Sequence, residues 1–302
     1  MLISIIIPTK NEEELLPTLL QSIKKQDFED YEVIVADAFS TDRTREIAVE
    51  YGAKVVDGGM PGVGRNAGAR AAQGDFLVFL DADVMLPEGF ISSLYKEMQD
   101  RYIDVATCPI VPITDIQLDR IIHKLINLTV MANLRVDPKA FGFCIFITRR
   151  LFNRIGGFDE TIKVAEDNDL VKRASEYRPL RYLNTTYVHV SVRRFEKEGR
   201  FSYMLKGIGL NVYRFFKGEI REGNNIVEYE FEGYDKSRNK SKTLDKIEDK
   251  LIQLEKMEKA YLSSIKSWGK AGEKDKETNR KFIEELKSIP RDITKTEKDK
   301  MS

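Results

Sequence analysis

Histidine, cysteine and tryptophan are scarce, with two, two and one among 302 residues. The two cysteines, Cys108 and Cys144, stand too far apart for a CxxC metal motif. They read as reduced core thiols of a cytosolic protein. Long apolar runs are missing too. No stretch approaches the roughly 18 uninterrupted apolar residues of a membrane-spanning helix. The opening MLISIIIPTK is apolar, but it lacks a basic leader and meets Pro8 too early for a secretory signal. Net charge is absent as well, since 49 Lys and Arg balance 49 Asp and Glu. No global field draws the chain to nucleic acid, which is not expected as a partner.

What the chain does have is alternation. Hydrophobic residues make up 42%, enough for a sizeable core in one large or two modest domains. Residues 2–7 form an apolar run ended by Pro8, and 31–36, 54–56 and 75–80 read as further strands. Between the first two, Leu15, Leu19, Leu20 and Ile23 repeat at helical spacing behind Asn11, a residue able to cap. Ser40 can cap a second helix with Ile47 and Ala48 on its inner face. Strand and helix alternating at this pace imply right-handed crossovers and a parallel sheet. The first hundred residues are expected to be α/β and Rossmann-like.

The fourth strand carries the strongest chemical signal. Residues 76–80 are apolar and run straight into Asp81 and Asp83. A parallel strand covered on both faces loses its alternation, so this run reads as buried. The two carboxylates then stand where the strand leaves the sheet, the edge at which open α/β sheets bind ligands. With no lysine nearby in sequence, they are costly unless a cation arrives. A divalent metal bridging to a pyrophosphate meets that need. A strand-end turn with a capping aspartate is the plainer alternative.

Just before it lies GGMPGVGRNAGARAAQG, residues 58–74. Gly62, Gly64 and Gly68 nearly match a dinucleotide fingerprint, but a nicotinamide enzyme needs its glycines after strand one, where this chain has PTKNEE. The expectation is a flexible loop feeding a helix from Arg65. On that helix Arg65 and Arg70 either face phosphate or sit solvated.

Five stretches in order, IIIPTKNEE, VADAFSTDRT, GVGRNAGARAAQGDFLVFLDADV, GGFDE and AEDNDL, resemble the signatures of family 2 glycosyltransferases of GT-A fold. The resemblance covers about residues 1–195. It implies a mainly parallel sheet flanked by helices, a nucleotide-sugar donor (a UDP- or GDP-sugar), Mn²⁺ or Mg²⁺, and inversion at the anomeric carbon. It sets Pro8, Thr9 and Glu12 against base and ribose, and Asp37 against the nucleoside. Ala38 replaces the family's second acidic residue here, and Phe39 its glycine. Asp83 is assigned to the cation and Asp81 mainly to the ribose or sugar. Hard oxygen ligands suit Mg²⁺ or Mn²⁺, which would neutralise the departing diphosphate.

The same resemblance makes Asp167 the general base that takes the acceptor hydroxyl's proton. Read without it, Glu166, Asp167 and Asp169 are acidic residues at a helix start, where the dipole favours them. Glu166 and Asp169 are further candidates for acceptor contacts, and GGFDE, residues 156–160, flanks the acceptor pocket. His189 either completes the metal site, as a histidine at this stage does in some relatives, or is a satisfied strand residue. On an alternating strand it shares a face with Tyr187 and Ser191. Arg193 and Arg194 could hold the diphosphate.

Residues 104–109 and 141–148 read as strands, and 118–133 as an amphipathic helix with Ile121, Ile122, Leu125 and Leu128 on its apolar side. His123 there is expected to be a surface or packing residue. Phe201, Leu205, Ile208, Val212 and Phe215 form another stripe, accompanied by Arg200, Lys206, Arg214 and Lys217. A helix of this kind lies on a membrane surface or packs on the catalytic core. The expected organisation is a catalytic domain over 1–221, with the amphipathic helix near 201–217, and a charged, partly disordered helical appendage over 222–302. The acceptor is a sugar or a lipid-linked molecule. The expected location is cytoplasmic, at the inner face of the membrane if the stripe binds lipid. A nucleotidyltransferase would need a glycine-rich loop after strand one. The rival from another class is a catalytically idle nucleotide-sugar- or partner-binding protein of the same fold.

Overall fold

The computed structural model describes residues 2–193 and Phe195. Residues 2–193 lie in one of the chain's two compact units. The boundary expected at 221 and the stripe from Phe201 to Phe215 lie outside the described residues.

The first half follows the expected rhythm: β1 Ile3–Thr9, α1 Leu16–Lys24, β2 Tyr31–Asp37, α2 Thr44–Glu50, β3 Lys54–Asp57, α3 Pro61–Ala71 and β4 Phe76–Phe79. There follow β5 Val84–Met85, α4 Phe90–Asp100, β6 Val105–Thr107, β7 Ile110–Ile113, α5 Gln117–Asn133, β8 Ile145–Thr148, α6 Arg149–Arg154, α7 Glu166–Ser175, β9 Arg181–Tyr182 and β10 Val188–Ser191. Seven strands make the main sheet in the order β3-β2-β1-β4-β8-β6-β9. Its β3-β2-β1-β4 half is parallel, as expected. β8 then enters antiparallel to both β4 and β6, so the sheet as a whole is mixed. A small second sheet, β5-β10-β7, stands beside the exit of β4.

The unbroken apolar runs have a simple cause. Ile3, Ile5 and Ile7 point to one face, where they pack with Leu16, Leu19, Leu20 and Ile23 of α1. Ile6 points to the other face, where α3, α6 and α7 supply Ala69, Leu151 and Leu170. Both faces are covered, so period-two patterning disappears. Each such fully buried side chain contributes about 1.5–3 kcal/mol.

Two helices depart from expectation. The glycine-rich stretch is not a flexible loop: α3 starts at Pro61, whose fixed φ suits the first helical position. Glycine serves close packing there. A Cβ on Gly68 would collide with Ile6 Cγ2 of β1, and one on Gly64 would sit 3.4 Å from Pro8 Cβ. In α5 the inward side holds Ile122, His123 and Val130, while Leu125 and Leu128 are 56% and 61% exposed. His123 is a packing residue, its Nδ1 2.7 Å from the Asp119 carbonyl.

Candidate active site

The site begins where β1, β2 and β4 end. The loop after β1 and the loop after β2 interlock. Asn11 N–H donates to Ser40 Oγ (2.8 Å), Glu12 N–H to Thr44 Oγ1 (2.8 Å) and Glu13 N–H to Asp42 Oδ2 (3.1 Å). Neither expected cap forms: Asn11 accepts from Thr41 N–H, and Ser40 Oγ donates to Asp37. α1 starts five residues after Asn11 and α2 four after Ser40, both with no side-chain cap.

Asp37 is fully buried at the hub of this loop pair. Thr9 Oγ1 (3.1 Å) and Ser40 Oγ (2.5 Å) donate to one oxygen; Ser40 N–H (2.9 Å) and Arg45 Nη1 (3.3 Å) donate to the other. A carboxylate offers about four acceptor positions, and these four donors fill them. Asp37 therefore fixes the loops, and Thr9 is one of its partners. Pro8, in β1, lies beneath Gly64 of α3. Phe39 next to them sits at φ 56° and is 64% exposed. Left-handed backbone at this position accounts for a preference for glycine there.

Arg65 is the centre of the site. It is 3% exposed, the opposite of a solvated surface arginine. Its Nη2 donates to Asp81 at 2.7 Å and its Nη1 to Glu166 at 2.5 Å, while Phe158 lies under the guanidinium at 5.6 Å. Both terminal nitrogens are thus occupied by carboxylates. Arg65 joins the end of β4 to the start of α7 instead of standing open to phosphate. Its neighbour Asn66 bolts on the GGFDE turn, donating to the Phe158 carbonyl and accepting from Phe158 N–H, both at 2.9 Å.

Asp167 sits beside this bridge, in the first turn of α7. Its oxygens accept from Asn168 N–H (2.7 Å) and Gly142 N–H (2.8 Å). A Cβ at 142 would run into the Arg65 guanidinium, so a larger residue there must displace the cation from its two carboxylates. Desolvation, and then the charge of Glu166, push the Asp167 carboxyl up to about 7, against the pull of Arg65 and the two N–H donors. The carboxyl is thus poised to exchange a proton near neutrality. Gly142 and the Arg65–Glu166 pair were not foreseen. Arg65 and Glu166 each lie in a motif, but 101 residues separate them and no spacing rule connects them.

Glu12 faces the other aspartates. Burial first, and the charges of Asp83 and Asp81 in addition, raise its pKa, while Arg193 lowers it by donating to both Glu12 oxygens at 3.1 and 3.3 Å. Glu12 therefore lies close enough to Asp81 and Asp83 to feel their charge, on a face where Arg193 already pairs with Glu12 and Arg65 with Asp81. His189 pairs with Met85 across β10 and β5, and its ring lies edge-on to Tyr187. It lines a cavity with Ser22 of α1, with Gln26 just beyond that helix and with Glu88, a cavity not bounded by Asp81 or Asp83. Among the described residues, no group of three or more His, Cys, Asp or Glu side chains could cage a metal by itself.

Known proteins share this framework. Residues 4–156 match the model of glycosyl transferase family 2. Poly(ribitol-phosphate) beta-N-acetylglucosaminyltransferase TarS of Staphylococcus aureus is 33% identical over 112 residues, 34% of this chain and 20% of that protein. Undecaprenyl-phosphate 4-deoxy-4-formamido-L-arabinose transferase of Pseudomonas fluorescens is 34% identical over 161 residues, 49% of this chain and 47% of that protein. The matches span less than half the length of these relatives. The crystal structure of S. aureus TarS 1-349 in complex with UDP-GlcNAc has the same fold, with a TM-score of 0.52 at 24% identity, over 63% of this chain and 58% of that one. The family match covers just over half of the chain, and the mixed sheet and its neighbours agree with it: the chain belongs to glycosyl transferase family 2 and has the GT-A fold.

Proposed function

We propose that the protein is an inverting glycosyltransferase that moves a sugar from a UDP- or GDP-sugar to a hydroxyl acceptor, with Asp167 as general base. The observation that carries this reading is the setting of Asp167, a carboxyl pushed up to about 7 and held by two backbone N–H groups. A general base works best when its pKa lies near the working pH. Arg65 ties the same region to Asp81, so base and donor end are positioned by one buried cation. In an inverting displacement the acceptor oxygen attacks the anomeric carbon as the diphosphate leaves from the opposite side. Asp167 takes the acceptor's proton as that bond forms.

The face shared by Glu12, Asp81 and Asp83 suits a hard divalent cation, because carboxylate oxygens are its preferred ligands. Asp83 would hold Mn²⁺ or Mg²⁺ together with the donor's diphosphate, an arrangement that needs no cage built from protein alone. When bound, the cation supplies charge neutralisation to the departing nucleoside diphosphate. The cation reading rests on Asp83 and draws on no contact of His189, which borders a cavity beside α1. Asp37 acts on the nucleoside through the loops it fixes, and Phe39 offers an exposed ring beside them.

A phosphate acceptor is already ionised and needs little help from a base. The raised Asp167 therefore favours a hydroxyl; the Pseudomonas relative's name supports a lipid acceptor, but one that reacts through its phosphate, so that likeness speaks for the lipid and not for the hydroxyl. Such an acceptor would bring the protein to the cytoplasmic membrane surface. Among the described residues, no helix is long and apolar enough to cross a membrane.

Two substitutions test the reading. Asp167→Asn should lower turnover by about 10²–10⁴-fold while donor affinity barely changes. Near wild-type transfer would remove Asp167 from the role of base. Asp83→Ala should abolish the Mn²⁺-dependent part of nucleoside diphosphate affinity in calorimetry, and undiminished binding would overturn the cation assignment.

A further inference from the structure

Cys108 and Cys144 take no part in the site described above, and they are the only cysteines of the chain. The antiparallel register of β6 on β8 pairs Val105 with Ile147 and Ala106 with Phe146. Carried two steps onward, that register sets Cys108 opposite Cys144. Their sulfurs are 3.1 Å apart, and the two residues are 2% and 0% exposed. Cys108 N–H points at Cys144 Sγ (3.3 Å), and Cys144 N–H goes to the Phe141 carbonyl (2.8 Å). Neither amide therefore closes a ladder bond across the pair. The Thr148 N–H to Asp104 carbonyl bond (2.8 Å) sets the phase of the ladder, and four residues on, that phase makes Cys108 and Cys144 a pair of the hydrogen-bonded type, whose Cα atoms stand about 5.5 Å apart. That separation falls within the range of about 4.4–6.8 Å that a disulfide spans.

The surroundings also choose a nucleophile. Thr107 Oγ1 (3.5 Å) and Cys108 N–H (3.3 Å) both donate to Cys144 Sγ. Burial alone would raise the Cys144 thiol, but hydrogen bonds from Cys108 and Thr107 bring it down; burial and then Cys144 itself push Cys108 up.

We propose that Cys108 and Cys144 form a redox-modification site, which closes to a cross-strand disulfide under peroxide and thereby fixes the segment that carries Gly142. The Cys144 thiolate attacks one peroxide oxygen, forming a sulfenic acid and releasing hydroxide, which the thiol proton turns to water. Cys108 sulfur then attacks the Cys144 sulfur; the S–S bond forms, the S–O bond breaks, and the departing hydroxide takes the Cys108 proton as a second water. Two thiols are oxidised and one peroxide is reduced. The consequence for the site comes from proximity in sequence: Gly142, two residues before Cys144, donates the 2.8 Å hydrogen bond to Asp167.

The test uses the full chain. After hydrogen peroxide treatment, free thiols are alkylated in denaturant and the protein is digested without reductant. The expected product is a linked pair of peptides bearing Cys108 and Cys144, two hydrogens lighter than their reduced sum and separated by dithiothreitol. Amide hydrogen exchange over residues 141–144 should be slower in the oxidised protein than in the reduced one. In Cys108→Ser the same treatment should leave a Cys144 sulfenic acid that dimedone traps, with no linked pair. The proposal is overturned if both thiols alkylate fully after peroxide, if sulfinic acids appear without linkage, or if linkage forms only between chains. Linkage with unchanged exchange over 141–144 would overturn the fixing of that segment. No readout depends on glycosyl transfer.

Discussion

At the scale of single residues, the balance of charge around Asp167 decides the chemistry. Glu166 raises its proton affinity and Arg65 lowers it, after desolvation has made the largest contribution. Since the ionised form is the base, transfer should rise with pH and level off above about 7. Glu166→Gln removes the raising charge yet keeps an oxygen for Arg65 Nη1, so the rise should move to lower pH. A pH–rate profile of the two proteins checks the direction, and an unmoved or upward-shifted limb would show that Glu166 does not tune the base. Arg65 itself is a poor probe. Its removal leaves the buried Glu166 and the partly buried Asp81 without their counter-charge, and breaking a buried pair such as Arg65–Glu166 costs about 3–5 kcal/mol.

At the scale of elements, α3 shows why tertiary approach overrides local propensity. Glycine in a helix interior is about 1 kcal/mol worse than alanine, so Gly→Ala on α3 would ordinarily stabilise. At Gly68 the added methyl meets Ile6 Cγ2 in a fully buried strand, and overpacking of that kind costs about 1–3 kcal/mol. Gly68→Ala should therefore destabilise. On the same helix, a Cβ at Gly62 finds only ordinary contacts, the nearest being Glu166 Cγ at 3.5 Å, so Gly62→Ala should be neutral or stabilising. Urea midpoints of the two variants distinguish them, and equal shifts would refute the steric account. The same contrast marks what could be read in the sequence. β1, β2 and β4 were legible because burial leaves unbroken apolar runs in them, β3 because two valines follow a helix at the rhythm of the crossovers, and Asp81 and Asp83 because they end one such run. The first turn of α3 was not, since Pro61 and the glycines before Arg65 resemble a loop until β1 is placed beneath them. The phase of α5 was misjudged because an apolar stripe does not say which of its edges turns inward, and Leu125 and Leu128 face out. β5, two residues long, and its pairing with β10 carry no local signal at all. The place of Asp167 at a helix start was legible from its motif, but its donor Gly142 and its neighbouring Arg65–Glu166 bridge exist only after folding.

At the scale of the whole molecule, a base held ready for catalysis should weaken the fold that holds it. The folded Asp167 binds its proton up to about 7, whereas its ordinary value is 3.8. Between those limits the unfolded chain ionises while the folded chain retains the proton, so this group's contribution to stability falls as pH rises and levels off above about 7. Glu12, also raised, acts in the same sense. His123 and His189 act in the opposite sense: burial lowers both, so their contribution grows as pH rises through the ordinary histidine range. The raw stability of the wild type is therefore a sum of opposing slopes, and only a difference isolates Asp167. Asp167→Asn removes the titration, although its amide cannot accept from both Asn168 and Gly142, so the variant starts with a hydrogen-bond penalty at every pH. That penalty is constant, while the wild type's desolvation penalty appears only as the carboxyl ionises. Relative to wild type, the variant should be least stable near pH 5 and gain progressively toward pH 8. Melting temperatures of both proteins across that range measure the difference directly. A difference that stays flat would mean that Asp167 is ionised throughout, and would remove the raised pKa on which its role as base depends.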